Sequence, residues 1–69
     1  MQRYVKPRIT LVGTNGNPYQ VMARTVQALQ AAGYSRRELE EYLDEAMSYK
    51  QYHQVLKVTT KWVRIERRM

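Results

Sequence analysis

The sequence predicts a small α+β domain of order β-α-α-α-β, its helices packed on one face of a two-stranded sheet that association with another chain would extend. Three observations carry this. Residues near both ends alternate at the strand period in a β-branched setting, around Ile9-Thr10-Leu11 and Val63-Arg64-Ile65. Between them, apolar residues recur at helical spacing in three blocks. Each block opens on a residue or pattern that caps helices.

In chain order, residues 1 to 6 read as a polar, flexible start with Tyr4 and Val5 as its apolar anchors. Arg8 to Val12 reads as the first strand, with Pro7 suited to its edge. Ile9 and Leu11 should face the core, and Thr10 and Val12 the other side. The stretch Gly13-Thr14-Asn15-Gly16-Asn17-Pro18 follows. Asn15-Gly16 is a strong turn dipeptide, Asn17 a good N-cap, and Pro18 suits a first helical position where a missing N–H costs nothing.

The first helix should run from Pro18 to Ala32, burying Tyr19, Met22, Val26, Leu29 and Ala32 and leaving Gln20, Arg24, Gln27 and Gln30 outside. Gly33 ends it. Ser35-Arg36-Arg37-Glu38 is a capping box, so a second helix follows with Leu39, Tyr42, Leu43, Ala46 and Met47 on one face and the acids on the other. Ser48-Tyr49-Lys50-Gln51 repeats the pattern and predicts a third helix capped by Ser48, with Tyr49, Tyr52, Val55 and Leu56 buried and His53 turned away. Val55, Val58, Trp62 and Ile65 also fit a helical period, which leaves the end of the third helix open. The β-branched Val58, Thr59, Thr60, Val63 and Ile65 favour extended chain and place the switch near Thr60 or Lys61, with the second strand at Lys61 to Glu66. That strand should turn Val63 and Ile65 inward and Trp62 and Arg64 outward. Residues 67 to 69 read as a solvated tail.

Sixty-nine residues make one domain with a thin core, burying about 60% of the surface its unfolded chain exposes. Two strands alone are marginal, so a homo-oligomer is expected. There is no cysteine and one histidine, which leaves neither a disulfide framework nor an ordinary zinc site. No apolar run approaches a membrane span, and the reading is of a soluble cytoplasmic protein that holds no cofactor or metal. No nucleophile and base stand at a recognisable spacing, so an enzyme is not expected.

Twelve basic residues face six acidic ones, and their distribution matters more than the sum. Eight of the twelve, Arg3, Lys6, Arg8, Lys57, Lys61, Arg64, Arg67 and Arg68, lie toward the two ends. Five of the six acids, Glu38, Glu40, Glu41, Asp44 and Glu45, lie in the second helix. If the ends meet, one side of the molecule is basic and another acidic.

Val12-Gly13-Thr14-Asn15-Gly16-Asn17, Ala28-Leu29 with Ala32-Gly33, and the closing Tyr52-His53, Leu56 and Trp62-Val63 resemble a pattern found in small uncharacterised proteins of bacteria, phages and other mobile elements. Those read approximately G-T-D-G-N, an aromatic residue, a helix ending in A-G, then Y-x-x-L-L and W-V. Here Asn15 stands for the usual aspartate and Val55-Leu56 for the leucine pair. The resemblance implies a fold and a mobile-element origin but brings no mechanism.

Three functions compete. The first is a non-catalytic binder of a phosphorylated molecule or nucleotide, sequestering a host signal. Amides at the start of the first helix would receive the anion beside Gly13, Thr14, Asn15, Gly16 and Asn17, Arg8 and Arg64 would add charge, and Trp62 would stack. The second is a module that inhibits a host protein through Glu38, Glu41, Asp44 and Glu45 or through a sheet edge. The third is nucleic-acid binding by Arg3, Lys6, Arg8, Lys61, Trp62 and Arg64.

Overall fold

The computed structural model describes residues 6 to 66; the expectations for Arg3, Tyr4, Val5 and the tail at 67 to 69 fall outside them. The elements follow the expected order: β1 Arg8–Thr10, α1 Pro18–Ala31, α2 Arg36–Met47, α3 Tyr52–Trp62 and β2 Arg64–Glu66. The two strands pair in parallel, Arg8 opposite Arg64, Ile9 opposite Ile65 and Thr10 opposite Glu66. Parallel pairing demands a long crossover, and here all three helices supply it. Ile9 is buried in the core while Arg8, Arg64 and Glu66 are exposed, so the helices cover one sheet face and the other meets solvent.

The core gathers Ile9 and Val63 from the strand segments, Val21, Met22 and Leu29 from α1, Leu39, Tyr42 and Ala46 from α2, and Val55 and Val58 from α3. Five side chains depart from the expected burial. Tyr19, Met47 and Tyr49 are exposed, whereas Val21 and Thr25 are fully buried. Packed against other helices and against β1 as well, α1 buries a wider and rotated arc, and Tyr19 in its first turn lies beyond that arc's edge.

β1 stops at Thr10, not Val12, because the Thr14 N–H donates to the Leu11 carbonyl at 3.1 Å and closes a turn there. At the end of α1, the Tyr34 N–H reaches the Leu29 carbonyl and the Gly33 N–H that of Gln30, the two bonds of a Schellman motif. The capping box at Ser35 forms in both directions: the Glu38 N–H donates to the Ser35 hydroxyl, and the Ser35 N–H donates to the Glu38 carboxylate.

Ser48 does not cap α3. Its hydroxyl donates back to the Glu45 carbonyl at 2.6 Å, closing α2, and α3 begins after Gln51 with no side-chain cap. The expected strand at Lys61 is likewise corrected. α3 continues through Trp62, because Val58 and Thr59 are buried on its inner face and that packing outweighs the strand preference of their β-branched side chains.

Candidate functional site

The residues from Leu11 to Asn17 form two consecutive turns. After the first, the Asn17 N–H donates to the Thr14 carbonyl at 2.9 Å across Asn15 and Gly16, whose φ angles are 54° and 71°. Two positive values in succession define the turn that an Asn-Gly pair favours, since glycine adopts them without steric cost and asparagine tolerates them.

The helix entrance is closed by the chain itself. Asn17 Oδ1 accepts from the Tyr19 N–H at 2.8 Å, and the Asn17 carbonyl accepts from Gln20 and Val21 at 3.1 and 3.3 Å. Pro18 has no N–H to offer. The amides expected to receive an anion are therefore already paired, which removes the physical basis of the anion cradle. Thr14, expected beside that ligand, is buried instead: its hydroxyl donates to the Leu11 carbonyl at 2.8 Å and lies 3.3 Å from the Tyr52 hydroxyl.

The loop is held from below by Arg24, a residue expected to be solvated. Its Nη1 donates to the carbonyls of Thr10, at 2.9 Å, and of Val12. A turn that reverses the chain leaves carbonyls unpaired at a strand's end, and a half-buried guanidinium on the neighbouring helix is one of the few groups able to satisfy two of them. The only sequence signal was that unmet demand. Arg24 also lines an open cleft of about 390 Å³ with Arg8, Thr10, Gln27 and Glu66.

Trp62 is not an outward stacking platform. It ends α3 half-buried, its ring centroid 5.9 Å from that of Tyr42 and 6.2 Å from that of Tyr34. Below it the Tyr42 hydroxyl meets Thr59 Oγ1 at 2.7 Å in the core. Trp62 thus packs on two tyrosines and the amides of the helix entrance are already paired, so the expected ligand set does not form a site.

Among the described residues, the two ends of the chain do meet. Lys6 Nζ donates to the Thr60 carbonyl at 3.2 Å, and the Arg64 N–H donates to the Pro7 carbonyl at 2.8 Å. These bonds and the strand register bring Lys6, Arg8 and Arg64 to the end of α3 that carries Lys57 and Lys61. Arg8 pairs with Glu66 at 3.2 Å and Lys61 with Glu45 at 2.8 Å, both at exposed positions where ion pairs are worth little. The hydrogen bond and charge of Glu45 raise the Lys61 pKa above the usual lysine value.

On α2 the acids divide. Glu38 completes its capping box, Glu40 pairs with Arg36 at 3.5 Å and Glu45 with Lys61. Among the described residues Glu41 and Asp44 have no ion-pair partner and stand exposed. No described group of three or more His, Cys, Asp or Glu could hold a metal, and every buried described side-chain N or O has a partner. No described helix is long and apolar enough to cross a membrane.

Fold and surface together define a class: a small α+β domain whose unspent chemistry is the charge on its exterior. Neither protein-family models, nor the curated proteins, nor the solved structures give a match to this chain.

Proposed function

We propose that this domain binds the phosphate backbone of a nucleic acid through Lys6, Arg8, Lys57, Lys61 and Arg64, and performs no chemistry on it. The observation that carries this reading is the Lys6 to Thr60 bond, which draws the start of the chain onto the end of α3 and joins cations from sequence-distant segments. Such cations neutralise phosphates and release counterions, so affinity falls steeply with salt. With Trp62 half-buried against Tyr42 and Tyr34, recognition rests on charge, which favours weak dependence on base sequence.

Fluorescence anisotropy of labelled single- and double-stranded oligonucleotides at several salt concentrations tests it. On duplex the logarithm of affinity should fall by about 0.9 per neutralised phosphate for each tenfold rise in salt, and Arg8→Glu with Lys57→Glu should lower that slope by about two. A flat salt response, or a slope that the double variant leaves unchanged, overturns the proposal.

The exposed Glu41 and Asp44 favour a second reading, docking of α2 on a basic surface of another protein. Its mark is loss of capture by Glu41→Lys and Asp44→Lys with nucleic-acid affinity undiminished.

A further inference from the structure

We propose that β2 pairs with β2 of a second copy of this chain, antiparallel about a two-fold axis at Ile65, to make a four-stranded sheet of order β1-β2-β2-β1. This goes beyond the nucleic-acid reading and does not depend on it.

Both strands are edges, yet among the described residues only one is guarded. In a parallel ladder successive residues turn their backbone groups to opposite sides. The Arg64 N–H bonds Pro7 of the β1 segment, so residues 64 and 66 face β1 and residues 8 and 10 face away from β2. Arg24 occupies the outward carbonyl of Thr10 and so blunts the outer edge of β1. Ile65 turns its N–H and C=O to the other edge, where no further strand lies among the described residues.

The side chains of β2 suit its own copy. With the axis at Ile65, the two Ile65 residues exchange a pair of backbone hydrogen bonds, and Arg64 of each chain stands opposite Glu66 of the other. Arg64 has no ion-pair partner among the described residues. The Glu66 carboxylate, held on one side by Arg8 at 3.2 Å, keeps a side-chain exposure of 46% with which to accept it. One strand of alternating charge thus becomes self-complementary in the antiparallel sense, the requirement of a two-fold interface. On the helix-facing side Ile65 borders an open groove of about 310 Å³ with Leu11 and Leu56, and the facing Ile65 covers its mouth. A parallel partner would set Arg64 against Arg64 and Glu66 against Glu66.

Sedimentation equilibrium of the full chain across a concentration series decides this. The expected mass rises from 8.3 kDa toward twice that value. Arg64→Glu or Glu66→Arg alone turns both symmetry-related pairs repulsive and should raise the dimer dissociation constant by about tenfold. The exchange Arg64→Glu with Glu66→Arg should recover most of that loss. Both positions lie on the exposed sheet face, and circular dichroism confirms that each of the three variants keeps its fold. A monomer at the highest soluble concentration overturns the proposal, as does an exchange variant no tighter than the single reversals. Oligonucleotide affinity is not read in this experiment, so the nucleic-acid reading stands or falls apart from it.

Discussion

The two edges of the sheet have the same length and the opposite treatment. β1 ends in a double turn whose spare carbonyls are taken up by Arg24, while β2 comes directly off α3 and turns the Ile65 backbone outward with no such guard among the described residues. Strand edges are templates for further pairing, so the open edge is the one to which the proposed self-association is assigned. The guard serves the loop as well. By tying Thr10 and Val12 to α1, Arg24 holds in place the turn that positions the first helix.

Removing that guard should have the largest effect. Arg24→Ala leaves carbonyls that had a charged donor without one and should cost about 2–3 kcal/mol in urea unfolding, with Arg24→Lys retaining part of it. If the comparison of edges is right, the Ala variant also gains a second association surface, visible as species larger than dimers. Unfolding that shifts by less than about 0.5 kcal/mol would mean that the loop needs no clamp.

Two variants in the loop separate scaffold from binding site at a smaller cost. Thr14→Val keeps the shape but loses hydrogen bonds to Leu11 and Tyr52, and should cost about 1–2 kcal/mol. Gly16→Ala has open space for the new methyl but a φ of +71°, so its cost is backbone strain alone, about 1–2 kcal/mol. Both should leave oligonucleotide affinity unchanged at temperatures where the domain is folded. A large loss of affinity from either would return the turn to the list of binding elements.

The smallest effect concerns pH. The Lys61 pKa is raised by its hydrogen bond to Glu45 and by the charge of that carboxylate, so the pair contributes stability that is complete below the usual lysine value of 10.5 and is lost as pH rises through the higher folded value. Chemical denaturation of wild type and Glu45→Gln should therefore show a small gap at neutral pH that closes in strong alkali. A gap that persists there would assign the difference to something other than the ion pair.

Local chemistry made much of this molecule readable. The Asn17 cap, the Ser35 capping box, the Asn15-Gly16 turn and the order of elements are settled by groups within four residues of one another, and each appears where the residue types demanded it. The same pattern misled at Ser48, where a serine directly behind one helix bonded backward to close it. Sequence alone also placed the cations at the two ends and the acids on α2.

Only the tertiary structure decided what those pieces do together. Lys6 meets Thr60 across 54 residues and Thr14 meets Tyr52 across 38, and nothing in a local spacing encodes such pairs. The length of α3, the parallel register, the withdrawal of Trp62 onto Tyr42 and Tyr34, and the use of Arg24 as an edge guard all follow from which surfaces packing brings together. A donor is spent or spare only once its neighbours in space are known. That is why the sequence pointed to free amides at the helix entrance, and the folded chain had already paired them.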